Sequence, residues 1–117
     1  MVKADYVPER GDLVWMNFNP QAGHEQKGRR PALAISPKEY NKKTNLGIFC
    51  PITSKEKGYP FEVKVKVKVK AKKIDGVILS DQVKSMDWAS RDIEYIGKIG
   101  QEELEKVVEK IKVLIFI

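Results

Sequence analysis

The chain has little of what hydrolytic and redox centres most often use. Among 117 residues there is one cysteine and one histidine, which excludes an internal disulfide, paired Cys-x-x-Cys zinc ligands and a ribonuclease centre built on two histidines. Neither His-Glu-x-x-His nor the phosphate-binding Gly-x-x-x-x-Gly-Lys-Ser occurs, so no metal and no cofactor is expected. No apolar run approaches the roughly 18 residues that a membrane-spanning helix needs, and the stretch before Leu13 lacks the apolar centre of a secretory signal. A cytoplasmic protein without membrane contact is expected. The lone Cys50 lies in Ile48-Phe49-Cys50-Pro51-Ile52, where a thiol behaves as a small buried hydrophobe rather than a nucleophile.

What is present is positive charge. The net charge is +6 and the pI about 9.4, which suits a polyanionic partner. Much of it falls in Val63-Lys64-Val65-Lys66-Val67-Lys68-Val69-Lys70, a strict alternation that predicts a strand with one buried face and lysines on the wet one. Such lysines keep a long strand soluble and block edge pairing. Alternatively they form a ladder beside a phosphate backbone, whose binding would weaken with salt.

Length and composition are those of one domain over residues 1–117. A first strand is predicted over residues 11–18 with both faces covered. A polar loop with two glycines follows over residues 19–30, and Pro31 opens a buried strand running to Ile35. Pro37 with Asn41-Lys42-Lys43 marks a turn or short helical crossing before a third strand at residues 46–52. A second loop covers residues 53–60. The lysine strand starts at Phe61 and is expected to turn around Lys73-Ile74-Asp75-Gly76, Asp-Gly being a hairpin signal. A one-turn segment around Ser85-Met86-Asp87-Trp88 and a strand at residues 93–99 come next. From Gln101, Leu104, Val107, Val108, Ile111, Leu114 and Ile115 share a helical face, with Glu102 and Glu103 in the first turn where the helix dipole favours them. Short strands and one terminal helix indicate a mainly β fold, a small bent sheet or barrel with the helix packed against it.

The chemistry available sits in the first loop, which gathers His24, Glu25, Gln26, Arg29 and Arg30. Metal-free RNA cleavage needs a base for the 2′-hydroxyl, a cation for the charge growing on phosphorus and an acid for the 5′-oxygen. Glu25, Arg30 and the hydroxyl of Thr53, which starts the second loop where a buried strand ends, are of the right types to meet in one cleft. Taken alone, Glu25 and Arg30 also read as a solvated pair worth about 0–1 kcal/mol.

The segment Gly11-Asp12-Leu13-Val14-Trp15, then Pro20, then Gly23-His24-Glu25-Gln26-Lys27-Gly28-Arg29-Arg30-Pro31 resembles the opening of the MazF/PemK/Kid toxins. The likeness continues through Ser36-Pro37, Tyr40-Asn41, Pro51-Ile52-Thr53-Ser54, Lys57-Gly58-Tyr59-Pro60-Phe61 and Asp81-Gln82-Val83-Lys84-Ser85 and reaches the last helix, so it covers nearly the whole chain. The resemblance implies an SH3-like barrel that dimerises, cuts single-stranded RNA at short motifs to 2′,3′-cyclic phosphate and 5′-hydroxyl ends, blocks translation and is silenced by a cognate MazE-like antitoxin, here an acidic segment folding onto the basic surface. It assigns Arg30 to acid–base work and phosphorane stabilisation, Thr53 to phosphate binding and Glu25 to activity. His24 and Asp81 match residues of the Kid-like branch, where the aspartate is the base, and Gln26 and Gln82 match base-reading positions. Asn19 and Ser54 complete the set expected to touch RNA.

There are departures. Asn17 and Asn19 stand where some members carry aspartates, and an amide donates as well as accepts, so base preference does not transfer. Leu79 stands where the Kid-like branch has arginine, which shifts weight to Arg30 as the cation. Trp15, Phe18 and Tyr59 are candidates for base stacking, with the core the favoured place for Trp15 and Phe18. The competing readings are a CcdB-like toxin that grips a protein, and a basic nucleic-acid module without cleavage.

Overall fold

The computed structural model describes residues 6–20 and 23–116. Its elements in chain order are β1 (Asp12–Asn17), β2 (Arg29–Ala34), α1 (Lys38–Thr44), β3 (Leu46–Thr53), β4 (Glu62–Val69), β5 (Lys72–Leu79), β6 (Lys84–Asp87), β7 (Glu94–Lys98) and α2 (Gln101–Phe116), with single 3-10 turns at Ser80–Gln82 and Trp88–Ser90. The sheet order is β4-β5-β3-β2-β1-β7, with β6 also against β3, and every pairing is antiparallel.

β3 organises the sheet. One edge pairs with β2, through Leu33↔Cys50. The other pairs first with β6, through Gly47↔Met86, and then with β5, through Ile52↔Ile78. Strand twist accumulates across such a sheet, and its two ends curl toward one another. A Cβ on Gly97 of β7 would lie 2.8 Å from Val69 Cγ2 at the end of β4, and Lys72 Nζ donates to the Glu94 carboxylate at 3.0 Å. The barrel expected from the sequence is thus a curled antiparallel half-barrel with a C-terminal helix.

Two apolar clusters fill the two sides of the central strands, because successive side chains point opposite ways. Leu13, Leu33, Cys50 and Ile52 face one side, where Val63, Val65, Ile74, Ile78, Ile96 and Val107 join them. Val14, Met16, Phe18, Ala32, Ala34 and Phe49 face the other, with Met86, Trp88 and Ile93. β1 is covered on both faces, as its sequence predicts, and β4 buries Val63 and Val65 while Lys64, Lys66 and Lys68 are exposed.

Three local expectations are corrected. The β4–β5 turn is at Lys70-Ala71, between partners Val69 and Lys72, with Lys70 in the left-handed region at φ 56. Asp75-Gly76 lies inside β5, and glycine is needed there for space: an added Cβ would sit 2.2 Å from the Thr53 carbonyl oxygen. The segment at residues 84–87 is the strand β6 rather than a helical turn, since Ser85 and Met86 find partners on β3. Finally, α2 outruns the sheet. Val107 is buried and Leu104 and Ile111 pack on the core, but Leu114 and Ile115, placed by periodicity on the packed face, are exposed together with Val113 and Phe116. Ile117 lies outside the described residues.

Candidate active site

A cleft of about 870 Å³ opens on the concave end of the sheet, walled by residues 23–31, residues 52–59 and Asp81 with Gln82, and floored in part by Lys73 and Asp75 of β5. Its first wall is sheet. The β2–β3 pairing Ala32↔Pro51, carried two residues further, sets Arg30 opposite Thr53. Arg30 Nε donates to the Lys27 carbonyl at 3.0 Å and Nη1 to the Ile52 carbonyl at 3.3 Å. The guanidinium is thereby held one residue from Thr53 with nitrogens left to donate. Burial lowers its pKa from the ordinary value, yet a guanidinium keeps its charge in proteins. Thr53 Oγ1 accepts from the Lys55 amide at 3.2 Å, which leaves the hydroxyl proton to be donated elsewhere.

The second wall is loop. Gln82 Oε1 accepts from the Gln26 amide at 3.0 Å, and Gln82 Nε2 reaches the His24 carbonyl at 3.5 Å. Lys84 Nζ stands 3.8 Å from Glu25. At the foot of the loop the Gly28 amide donates to Asn19 Oδ1 at 3.0 Å, and Arg91 Nη1 donates to the carbonyls of Asn17 and Asn19. Gln21 and Ala22, within the loop expected from the sequence, lie outside the described residues.

Against that geometry, the profile of PemK-like, MazF-like toxins of type II toxin-antitoxin systems matches residues 9–115. The chain belongs to this toxin family. It is 46% identical over 110 residues to the endoribonuclease toxin MazF of Escherichia coli K12, with 94% of this chain and 96% of that protein covered. Among solved structures, MazF of Deinococcus radiodurans superposes with a TM-score of 0.89 at 48% identity, covering 97% of this chain and all of the other. A MazE-MazF structure from the same organism gives 0.82 at 42% identity, with 97% and 99% covered.

Of the residues that the family resemblance selects, the cleft gathers His24, Glu25, Gln26, Arg30, Thr53, Ser54, Asp81 and Gln82. Asn19 is not among its lining residues, because its side chain closes the foot of the loop instead. Phe18 is buried in the core. Trp15 serves both places, packing on the core and lining the cleft, and Tyr59 lies exposed on the cleft with Lys57 Nζ 5.9 Å from its ring centroid. Sequence reasoning passed over Lys84, Lys73 and Asp75. No local spacing marked Lys84, because Gln82 ends a 3-10 turn and Lys84 opens β6, so their common side depends on the chain's change of direction at Val83. Among the described residues, no group of three or more His, Cys, Asp or Glu is placed to hold a metal ion.

Proposed function

We propose that this toxin is an endoribonuclease that cuts single-stranded RNA, messenger RNA above all, at a short motif and without metal, stopping translation. The observation that carries the reading is the placement of the Arg30 guanidinium and the Thr53 hydroxyl on neighbouring strands in one open cleft. The name of the E. coli relative, an endoribonuclease toxin, supports it.

In this reading the 2′-oxygen of the substrate attacks the adjacent phosphorus while a carboxylate takes its proton. Glu25 and Asp81 both border the cleft and are the candidates for that base. The attack gathers negative charge on the non-bridging oxygens. Arg30, already fixed by two carbonyls, and Thr53 donate to those oxygens with little reorganisation, which is how preorganised donors lower a barrier. The P–O5′ bond then breaks, its oxygen takes up a proton, and the products are a 2′,3′-cyclic phosphate and a 5′-hydroxyl. Gln26, Ser54 and His24 contact the bases or sugars of a strand threaded between the walls, and Trp15 or Tyr59 offers a stacking surface.

The toxin works as a homodimer in the cytoplasm, and the exposed apolar end of α2 supports a second copy as its cover. An antitoxin partner is supported by the MazE-MazF structures of D. radiodurans, and the basic charge of this chain favours an acidic antitoxin segment that occupies the groove in the silenced state. The test is digestion of a long mixed-sequence RNA in EDTA followed by mapping of the ends. Discrete fragments with cyclic phosphates are expected, and intact RNA would leave only a binding protein.

A further inference from the structure

Residues 62–76 hold six lysines against two carboxylates, and the catalytic reading uses none of these lysines, although Lys73 lines the cleft. The register of the β4–β5 hairpin shows where the rest stand. Lys66 opposes Asp75 and Lys68 opposes Lys73, and cross-strand partners share a face. Asp75 and Lys73 line the cleft. The face that floors the cleft therefore continues outward as a row of Lys64, Lys66 and Lys68, all exposed. The valines between them turn the other way and the tip is held down, with Val69 against Gly97 and Lys72 on Glu94, so the row has a fixed direction. Alternate residues on a strand recur about every 6.5–7 Å, a spacing comparable with that of successive phosphates in an extended strand.

The geometry points to this face as a rail for the phosphate backbone of RNA that runs out of the cleft. The inference deepens the nuclease reading and rests on it for the strand in the cleft. Edge protection alone asks only that charge be present on β4 and does not ask for continuity with the cleft floor. An acidic protein segment is the rival occupant. Lys64 Nζ stands 3.6 Å from Glu56 and Lys66 opposes Asp75, but the ammonium groups themselves recur evenly along β4, which favours a polyanion whose own charges repeat evenly.

The experiment measures binding of the full chain, in EDTA, to 2′-O-methyl strands of two lengths that share one central hexamer: the hexamer itself and a 30-mer. Such strands lack the attacking hydroxyl and stay intact. The wild type is expected to show a steeper salt dependence with the 30-mer. K66Q/K68Q should reduce that slope by about 1.4, two phosphates at roughly 0.7 each for single strands. It should also weaken 30-mer binding about five- to tenfold and leave hexamer binding unchanged. Equal slopes for both lengths in the wild type overturn the rail, and that measurement stands even if the variant fails to fold. So does a variant that binds the 30-mer normally but loses a poly-glutamate peptide, which would assign the face to an acidic protein. Cleavage of an unmodified RNA by the wild type reports separately on the nuclease reading.

Discussion

The two walls of the cleft are built by different means. On the sheet wall, Arg30 and Thr53 are carried by β2 and β3, whose flanking residues Leu33, Cys50 and Ile52 are buried in the main core. On the loop wall, Glu25 and Gln26 are exposed or half-exposed and are held to the rest of the molecule by Gln82 and Lys84. Groups that must meet developing charge without reorganising belong on the stiff side. Groups that read bases or move a proton tolerate the softer one, where a loop adjusts to its ligand. Substitutions on the two walls should therefore fail in different ways.

The sharpest break in that comparison is at Arg30. R30A should lower kcat about a hundred- to thousandfold, the usual cost of losing a preorganised donor to a developing oxyanion. T53V keeps the β-branched shape and should cost less, about tenfold or more, through the lost hydroxyl donor. Both variants should melt close to the wild type, because neither side chain is part of the core. Single-turnover cleavage beside thermal denaturation checks this, and a normal rate for R30A would remove the guanidinium from the chemistry.

A change behind the sheet wall should act through the fold instead. G76A puts a methyl against the Thr53 carbonyl, where backbone has no rotamer with which to retreat. Overpacking of this kind costs about 1–3 kcal/mol, and cleavage should fall because Thr53 is displaced. Denaturant midpoints that match the wild type would show that β3 gives way freely, and that the wall is softer than its pairing suggests.

The loop wall should respond more gently. Q82A deletes the acceptor of the Gln26 amide, a bond worth about 1 kcal/mol, so kcat/KM should fall about five- to tenfold. The informative readout is hydrogen exchange at the Gln26 amide, which should accelerate in the free protein. If exchange is unchanged while cleavage falls, Gln82 acts on the RNA and not on the loop.

How much of this was legible beforehand follows from which contacts are local. The valine alternation of β4, the two covered faces of β1 and the amphipathic start of α2 are written in the spacing of neighbouring residues, so they could be read directly. The irregular loop that borders the cleft was also readable as a loop, since glycines and hydrogen-bonding side chains without an apolar period mark irregular backbone. What failed depends on distant partners. Asp75-Gly76 looks like a turn, yet its glycine answers to Thr53, and the true turn at Lys70-Ala71 carries no turn chemistry. β6 needed β3 beside it to be a strand. Asn19 also accepts from the Gly28 amide across the loop, a structural contact between residues nine apart that no local pattern announces.

The smallest effect on activity is expected behind the cleft, at Cys50, and it sharpens the contrast by isolating the core from the chemistry. Burial, helped by the charge of Asp81, pushes this thiol from 9.0 up to about 12. It therefore stays protonated and unreactive at neutral pH. C50A should cut RNA at the wild-type rate, and iodoacetamide should label the wild type only once it unfolds. The raised pKa also has a consequence for stability. The folded state holds the proton more tightly than the unfolded chain, so the thiol's contribution is complete below about pH 9 and is lost as pH climbs toward 12. The stability margin of wild type over C50A should accordingly shrink above pH 9, by at most about 1.4 kcal/mol per pH unit. Denaturant titrations of both proteins between pH 8 and 10.5 measure that margin. A constant difference across the range would mean that the thiol ionises as readily in the fold as outside it, and that solvent reaches the core immediately beneath Asp81.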